Sequence, residues 1–189
     1  MSKSELRLKA LRSRRALPPD ELEDLSRAVQ KRLENLQCYV EAKVVASYVA
    51  KSDEVRTQGI IESALASRKR VMVPRTDPAT HRLSFAQIQS LSELSLGAFG
   101  VLEPAPGAKP VALSEADVIL VPIVAWDDRG HRLGYGRGYF DRELKSKGKA
   151  MSVGLALESQ RFDSVPQSAE DVPLEAIVTE GRTLTFGGR

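Results

Sequence analysis

The residues with the clearest capacity for chemistry lie at positions 132–141, where the sequence is Arg-Leu-Gly-Tyr-Gly-Arg-Gly-Tyr-Phe-Asp. Its three glycines alternate with other residues: Gly134, Gly136 and Gly138. Glycine has no Cβ, so it adopts positive φ at little cost and lets a ligand approach the backbone. Backbone N–H groups in such a loop, next to a helix N-terminus, can bind phosphate. Arg132 and Arg137 would add guanidinium groups, whose geometry matches phosphate oxygens.

The spacing of these glycines differs from two known phosphate-binding motifs. The third glycine comes one residue too early for the dinucleotide-binding fingerprint, and no Gly-Lys-Ser/Thr follows, as it would in a Walker A loop. A Gly-x-Gly-x-Gly pattern also fits a tight surface loop that needs positive φ and binds nothing. Spacing alone leaves both interpretations open, whereas the flanking arginines favour phosphate binding.

Two predicted elements flank the glycine-rich segment and would position it. Residues 118–121, Val-Ile-Leu-Val, are a short apolar run that predicts a buried strand, and Pro122 would end its regular pairing. Residues 139–147 predict a helix. A strand, a glycine-rich loop and a helix in this order are typical of phosphate-binding sites.

A second candidate site follows the strand predicted at residues 43–49. The carboxyl end of this strand leads to Glu54, and the next helix is predicted at 57–67. Ligands of open α/β sheets bind outside the carboxyl ends of the strands, so Glu54 is well placed to contact one. A carboxylate near the start of a helix is also stabilising without a ligand, which leaves the alternative open.

Two further helices are predicted near the N-terminus. Residues 4–15 predict a helix on which Lys3, Arg7 and Arg14 lie near one face. A solvated basic helix gives the same pattern, because runs of charge usually lie on the surface. A second helix is predicted from Pro19 to about residue 36, with leucine and valine along one stripe.

The rest of the chain completes an alternation of helices and strands. Strands are predicted at residues 70–74, 83–88, 152–156 and 176–179. Residues 91–107 are predicted to be irregular, and the tail from residue 181 is predicted to be frayed. This alternation predicts an α/β fold with a mostly parallel sheet.

Composition narrows the classes of function. With 189 residues, 42% hydrophobic and 28% charged, the chain fits one globular domain. No apolar run approaches the roughly 20 residues that a membrane helix needs, and the N-terminal residues do not resemble a secretory signal. A single cysteine and two histidines make a zinc site of Cys and His ligands unexpected. A net charge of +3 and 5% aromatic residues do not indicate nucleic-acid binding.

Residues 132–141, with the preceding Pro-Ile-Val-Ala-Trp-Asp-Asp-Arg-Gly-His, closely resemble the signature of the 5-formyltetrahydrofolate cyclo-ligase (5,10-methenyltetrahydrofolate synthetase) family. The resemblance extends, in the family's order, through residues 3–7, 47–57, 73–75 and 171–175. Phe140 stands where the family more often has tyrosine, and Arg137 stands where lysine or glycine is common. Neither difference removes a backbone donor, but position 140 offers no hydroxyl.

The resemblance implies both a fold and a reaction. The fold would be a single three-layer α/β/α domain over residues 1–189, similar to the ribose-phosphate isomerase and CoA-transferase type of sheet. The reaction would convert 5-formyltetrahydrofolate and ATP to 5,10-methenyltetrahydrofolate, ADP and phosphate, with Mg²⁺ as the metal. The protein is expected to be a cytoplasmic monomer that binds neither nucleic acid nor a membrane.

The resemblance also implies an ATP site. The residues that match it are Lys3, Ser4, Glu5, Leu6, Arg7, Arg132, Leu133, Gly134, Tyr135, Gly136, Arg137, Gly138, Tyr139 and Phe140. The basic end of the first helix, folded over the glycine-rich loop, would neutralise the triphosphate. Arg137 and Tyr139 are the expected catalytic residues, and Tyr139 would either stack on a ring or pack.

Folate and metal contacts are implied in the same way. Val49 and Glu54 match substrate contacts, and the Glu54 carboxylate would accept hydrogen bonds from the N–H donors of a pterin. Asp141 and Asp171 match the ligands of Mg²⁺. For Asp141 a simpler role is open, because an acid in the first helical turn stabilises the helix by about 0.3–1 kcal/mol.

Two other functions remain as alternatives. A phosphate-ligand or RNA-binding protein could use the basic N-terminal helix, and RNA binding should then weaken steeply with salt. A sugar-phosphate isomerase could use a similar sheet and would need no ATP.

Overall fold

The computed structural model describes residues 1–187, so the predicted domain boundary at 189 lies outside the described residues. The α-helices are α1 (Lys3–Arg15), α2 (Pro19–Leu33), α3 (Gln37–Glu41), α4 (Gln58–Ala66) and α5 (Tyr139–Leu144). The strands are β1 (Val44–Ser47), β2 (Arg70–Asp77), β3 (Arg82–Ile88), β4 (Leu94–Leu96), β5 (Leu102–Pro104), β6 (Pro110–Val111), β7 (Val118–Pro122), β8 (Ala125–Trp126), β9 (Arg132–Leu133), β10 (Met151–Leu155), β11 (Ala176–Val178) and β12 (Thr183–Thr185). Short 3₁₀ helices span Leu91–Glu93, Ala98–Gly100, Leu113–Glu115 and Glu158–Gln160. No helix within this part of the chain has the length and apolar character to cross a membrane.

Eight of the described strands form one sheet, in the order β12-β11-β10-β7-β1-β2-β3-β6. The central strands β11, β10, β7, β1 and β2 are parallel, whereas β12, β3 and β6 join the edges in antiparallel orientation. The remaining strands form two hairpins, β4-β5 and β8-β9. The predicted α/β class with a mostly parallel sheet is therefore confirmed.

Strand β7 lies in the middle of the sheet and is buried on both faces. Val118 and Leu120 pack on the face that α2, α3 and α4 cover. Ile119 and Val121 pack on the opposite face, where Leu144 of α5 joins the second core. Strands buried on both faces have continuous apolar sequences, and this is why the apolar run at 118–121 predicts the strand correctly.

Helix α2 follows from a proline at its start and an apolar stripe along one side. Pro19 occupies the first turn, where its missing N–H costs nothing. Leu22, Val29 and Leu33 are buried against the sheet. The helix ends at Leu33 rather than near residue 36, because Leu36 is extended and precedes the separate helix α3.

Helix α1 begins with a capping box and packs on the β8-β9 hairpin. The Ser2 hydroxyl accepts a hydrogen bond from the backbone N–H of Glu5, and the Glu5 carboxylate accepts one from the backbone N–H of Ser2. Leu6 and Ala10 are buried beside Leu133 of β9. This packing brings the basic face of α1 next to the glycine-rich segment that follows β9.

Several local predictions were wrong. Residues 91–107, predicted to be irregular, contain the β4-β5 hairpin, and the tail predicted to be frayed contains β12. These strands have three residues each, and their pairing partners rather than local propensity stabilise them. The glycine-rich segment follows the β8-β9 hairpin and not β7 directly, and its helix ends at Leu144 rather than at residue 147.

Candidate active site

A cavity of about 520 Å³ opens at the carboxyl ends of β1 and β7. Ligands of parallel sheets bind at this edge. Side chains of α1, the glycine-rich segment and the loop after β1 meet around it. The lining residues are Lys3, Arg7, Tyr48, Val49, Lys51, Glu54, Pro74, Thr76, Leu83, Phe99, Val101, Pro122, Arg132, Leu133, Gly134, Tyr135, Gly136, Arg137, Gly138, Tyr139, Phe140, Asp141, Ser168 and Asp171.

The chemistry of the lining residues divides them into two groups, which we call the glycine end and the Glu54 end. The glycine end consists of Lys3, Arg7, Gly136, Arg137, Gly138, Asp141 and Asp171. The Glu54 end consists of Tyr48, Val49, Lys51, Glu54 and Tyr135. Tyr135 was predicted to bind ATP, but its hydroxyl group contacts Glu54, so its side chain belongs to the second group.

The glycine-rich segment needs glycine at two of its three alternating positions. Gly136 has φ 95° and Gly138 has φ 68°, whereas Gly134 does not adopt positive φ. A Cβ at position 136 would also lie 3.1 Å from Cζ of Arg7. The segment is therefore held in a conformation that other residues adopt only with strain, directly beneath an arginine.

The basic end of α1 lies over this segment, as the resemblance implied. Nε of Arg7 donates to the carbonyl oxygen of Gly134 at 2.8 Å. Burial lowers the pKa of the Arg7 guanidinium, which nonetheless remains charged at neutral pH. The Lys3 ammonium forms an ion pair with Asp171 and donates to the hydroxyl oxygen of Ser168 at 3.0 Å. Arg7 thus lies beside the glycine-rich backbone, and Lys3 lines the same cavity.

The other three residues of the matched N-terminal stretch do not line the cavity. Ser4 and Glu5 are exposed, and the Glu5 carboxylate is used in the capping box with Ser2. Leu6 is buried in the core beneath α1. A stretch of consecutive residues on a helix points in several directions, so only Lys3 and Arg7, four residues apart, face the same site.

The two predicted metal ligands both line the cavity, and each is paired with a cation. Oδ1 of Asp141 accepts from Nη2 of Arg132 at 2.7 Å and from the backbone N–H of Val172 at 3.2 Å. Asp171 is paired with Lys3 and accepts from the backbone N–H and the hydroxyl of Ser168. Burial raises the pKa of Asp171, but these hydrogen bonds outweigh it and the pKa is lowered. Asp171 is therefore ionised at neutral pH.

The two aspartate carboxylates of the cavity suit Mg²⁺ better than they suit a metal that needs three or more protein ligands. No cluster of three or more Cys, His, Asp or Glu side chains suited to a metal exists among residues 1–187. Mg²⁺ usually takes one or two carboxylates and completes its shell with water and phosphate oxygens. Asp141 and Asp171 could supply the two carboxylates, and a bound nucleotide could supply the phosphate.

Arg132 is a buried residue of the cavity lining, and one of its guanidinium nitrogens contacts Asp141. Its side chain is 3% exposed, and Nε has no hydrogen-bond partner in the described chain. Burial lowers the pKa of Arg132, whereas the nearby Asp141 and Asp171 charges oppose this shift. Nη2 of Arg132 is engaged by Asp141, the residue still lines the cavity, and its contact with phosphate stays a prediction.

Arg137 and Tyr139 lie beside Phe99, an aromatic residue of the cavity lining for which no role was predicted. The Arg137 guanidinium lies 4.9 Å from the ring centre of Phe99, and the Tyr139 ring lies 6.3 Å from the same ring. His81 stacks on Tyr139 at 5.7 Å. The Tyr139 hydroxyl is buried without a hydrogen-bond partner within residues 1–187. Phe140 packs into the cores on both faces of the sheet.

At the Glu54 end, each carboxylate oxygen of Glu54 is already engaged once. Oε1 accepts from the Tyr135 hydroxyl at 2.7 Å, and Oε2 accepts from the backbone N–H of Lys51 at 2.8 Å. Val49 lies two residues beyond the end of β1 and lines the same wall. A carboxylate has about four lone-pair positions, so each oxygen retains capacity for a ligand donor.

The partners of Glu54 were not predicted. Tyr135 is 81 residues away in the chain, and its hydroxyl also accepts from Nη2 of Arg14 at 2.6 Å. Arg14 in turn contacts Asp53 at 3.0 Å. One indication of these contacts was present in the sequence, namely that Arg14 lies on the same helix face as Lys3 and Arg7. No sequence pattern connected it to Glu54.

An open α/β sheet with a cavity at the carboxyl ends of its parallel strands, lined by lysine, arginine and paired carboxylates, is typical of proteins that bind phosphorylated ligands. The chain belongs to the 5-formyltetrahydrofolate cyclo-ligase family, whose model matches residues 1–180. The family resemblance and the ligase class implied by it are thereby confirmed.

Individual relatives agree with this membership along most of the chain. The 5-formyltetrahydrofolate cyclo-ligase of Escherichia coli K12 is 33% identical over 173 residues, covering 89% of this chain and 95% of the relative. The protein of the same name from Mycolicibacterium smegmatis is 31% identical over 188 residues, covering 97% and 96%.

Two solved structures share the fold. The 5,10-methenyltetrahydrofolate synthetase of Aquifex aeolicus superposes with a TM-score of 0.87 at 36% identity, covering 100% of this chain and 95% of that one. The synthetase of Mycoplasma pneumoniae, at 23% identity, superposes with a TM-score of 0.76 over 95% of this chain and 99% of that one. The second likeness supports the fold alone.

Proposed function

We propose that this protein converts 5-formyltetrahydrofolate and ATP to 5,10-methenyltetrahydrofolate, ADP and phosphate. The observation that carries the proposal is the joining of two unlike ends in one cavity. The glycine end offers cations and backbone donors to a triphosphate, and the Glu54 end offers a carboxylate to a neutral ring with N–H donors. Family membership supplies the identity of the two substrates.

The triphosphate would bind at the glycine end. Lys3 and Arg7 would approach it from α1, and the backbone of residues 134–138 would approach it from the other side. Asp141 and Asp171 would hold Mg²⁺ against the phosphate oxygens. Mg²⁺, when bound, neutralises charge on the phosphate and turns the clash between phosphate and carboxylate into attraction.

The folate would bind at the Glu54 end. The remaining lone pairs of Glu54 suit the 2-amino group and ring N–H of a pterin, and charge-assisted hydrogen bonds of this kind are strong. Val49 would provide an apolar contact beside them. Because the two ends share one cavity, a bound folate can present its formyl group toward the phosphates.

The reaction would proceed in two stages. The formyl oxygen attacks the γ-phosphorus, the bond to the ADP oxygen breaks, and the N5 lone pair gives an iminium phosphate. N10 then attacks the former formyl carbon and loses its proton, and the C–O bond breaks as phosphate leaves. Phosphoryl transfer asks a protein mainly for positioning and charge neutralisation. Arg137 would supply charge at this step, and Tyr139 would contact the reacting groups.

A spectroscopic assay tests this activity directly. Purified protein is mixed with 5-formyltetrahydrofolate and Mg-ATP, and absorbance is followed in the methenyl-folate band. The band should grow with time and should require both ATP and folate. Folded protein that produces no band under these conditions would reject the proposal. An ATP-independent change of a sugar phosphate would instead favour an isomerase.

The domain organisation, oligomeric state, localisation and other partners are also proposals. We propose that residues 1–189 act as one domain, as a cytoplasmic monomer that binds neither nucleic acid nor membranes. The single cysteine suits a reducing compartment, and a net charge of +3 gives little attraction for polyanions. Light scattering would measure the mass, and a binding assay with RNA at low salt would test the second part.

A further inference from the structure

Arg14 is a buried cation that the proposed reaction does not use. It lies in the last turns of α1, and its side chain is 1% exposed. Nη1 donates to the carbonyl oxygen of Ile123 at 3.1 Å, and Nη2 donates to Asp53 at 3.0 Å and to the Tyr135 hydroxyl at 2.6 Å. Burying a guanidinium is costly unless its partners satisfy it, so its position beside the cavity calls for a reason.

The direction of these hydrogen bonds is fixed by chemistry. A guanidinium can only donate, so the oxygen of Tyr135 must accept from Arg14. The hydroxyl proton of Tyr135 is then free to point away from Arg14, and Oε1 of Glu54 lies 2.7 Å from the hydroxyl oxygen. Burial and the Glu54 charge raise the pKa of Tyr135, so this proton stays on the tyrosine.

The ring of Tyr135 is also held from the cavity side. Nζ of Lys51 lies 4.4 Å from the ring centre, within the range of a cation–π contact. The backbone N–H of Lys51 holds the second carboxylate oxygen of Glu54. Glu54 is therefore fixed at both oxygens, one through Tyr135 and Arg14 and the other through the chain itself.

We propose that Arg14 and Tyr135 are positioning residues that aim the Glu54 carboxylate at the folate. Arg14 orients the tyrosine hydroxyl, and the hydroxyl orients Oε1, which leaves the remaining lone pairs directed into the cavity. This inference rests on the proposed function, because it takes the folate as the ligand of Glu54. It adds a residue on α1, outside the cavity lining, to the determinants of substrate binding.

The test measures equilibrium binding of 5-formyltetrahydrofolate by calorimetry, without ATP, alongside thermal unfolding. Tyr135→Phe removes one hydroxyl and keeps the ring, and it should weaken folate binding about tenfold, the scale of a hydrogen bond to a charged group. ATP binding should change less than twofold. Arg14→Gln should weaken folate binding similarly, and Arg14→Lys, which keeps the charge, should recover part of the loss.

A double-mutant cycle separates positioning from a merely structural role. If Arg14 acts through Tyr135, adding Arg14→Gln to Tyr135→Phe should cost little further folate affinity. Arg15→Gln is the matched control: Arg15 also contacts Asp53, at 3.2 Å, but does not touch Tyr135. This control should bind folate like the wild type.

Two outcomes would overturn the inference. Wild-type folate affinity in folded Tyr135→Phe would show that the hydroxyl does not aim Glu54, and additive losses in the cycle would show that Arg14 acts independently. If Arg14→Gln fails to fold, Tyr135→Phe and Arg14→Lys still decide the question. Failure of the wild type to bind folate at all would reject the proposed function instead.

Discussion

The two ends of the cavity are assembled differently. At the glycine end, Lys3 pairs with Asp171, and buried Arg132 pairs with Asp141. The cation and the carboxylate of the first pair are 31% and 20% exposed, so a ligand can compete for both groups. At the Glu54 end, the carboxylate is 4% exposed and each of its oxygens already has a donor. At the glycine end a ligand can therefore replace one partner of an exposed ion pair. At the Glu54 end the carboxylate is already held in one orientation before a ligand binds.

The difference predicts that substitutions should separate the two substrates. Changes at the glycine end should affect ATP and leave folate binding intact, and changes at the Glu54 end should do the reverse. A substitution at one end that weakened the binding of both ATP and folate would contradict this difference between the two ends.

The largest effect is expected at Asp171. Asp171→Asn removes one of the two carboxylates proposed to hold Mg²⁺ and should lower kcat/KM for ATP roughly a hundredfold, the scale of losing a preorganised charged group. Lys3 loses its ion-pair partner but remains partly exposed, so folding should persist. Steady-state kinetics with varied Mg²⁺ measure the loss. Asp163→Asn, at a fully exposed position, is the matched control. If Asp171→Asn lost as much affinity for folate as for ATP, the assignment of Asp171 to the metal site would be contradicted.

Glu54→Gln should have the next largest effect. The amide keeps one acceptor and loses the charge, so folate binding should weaken about tenfold or more, because hydrogen bonds to charged groups are the stronger ones. ATP affinity should stay within about twofold, since Glu54 is proposed to contact the folate and not the phosphates. Calorimetry with each ligand separately gives both numbers. Unchanged folate affinity would remove Glu54 from the site.

Arg137→Ala should raise KM for ATP several-fold without unfolding the protein. The guanidinium rests on the exposed ring of Phe99, so its loss removes charge near the phosphates and little packing. A hydrogen bond to a charged group is worth at most about 3 kcal/mol, and the exposed guanidinium of Arg137 should contribute less than this. Kinetics with varied ATP and a thermal melt are measured together. ATP kinetics equal to those of the wild type would exclude Arg137 from the reaction.

Gly136→Ala should have a smaller effect, again confined to ATP. The residue has φ 95°, and the added Cβ would lie 3.1 Å from Arg7, so the loop must strain by about 1–3 kcal/mol. Gly134→Ala is the comparison variant, because Gly134 does not adopt positive φ. We expect ATP affinity to fall more in the first variant than in the second. The reverse order would show that backbone conformation is not what position 136 provides.

The smallest effect on catalysis is expected at Asp53, where the readout is stability against pH. Burial raises the pKa of Asp53, but Arg14 and Arg15 outweigh it and lower the pKa. A lowered folded-state pKa stabilises the fold above the unfolded pKa, and the contribution disappears as pH falls through the folded value. Asp53→Asn should therefore be less stable than the wild type at pH 7, and the difference should shrink as pH falls below about 4 and vanish once pH lies below the lowered folded-state pKa. A difference independent of pH would argue against the ion pair.

Much of the glycine end was predictable because its residues are close in sequence. Residues 132–141 contain two positive-φ glycines, two arginines and a carboxylate proposed to bind metal, and Lys3 and Arg7 are one helical turn apart. The central strand β7 was predictable because an apolar run can be recognised without its partners. What sequence did not show was that Arg132 would contact Asp141, since this depends on how deeply the side chain is buried.

The Glu54 end was not predictable beyond Glu54 and Val49. Arg14, Glu54 and Tyr135 come from a helix, a loop and the glycine-rich segment, and tertiary packing alone brings them together. The position of Phe99 was not predictable either. Its φ of 56° and its place in the cavity lining depend on the β4-β5 hairpin. Short strands and long-range hydrogen bonds depend on partners that local sequence does not specify.

The most direct test of the two-ended cavity is a crystal structure with both ligands. Protein crystallised with Mg-ADP and 5-formyltetrahydrofolate should show the phosphates against Lys3, Arg7 and residues 134–138, and the pterin donors on Glu54. Nucleotide phosphates bound elsewhere, with the glycine-rich segment empty, would contradict the account.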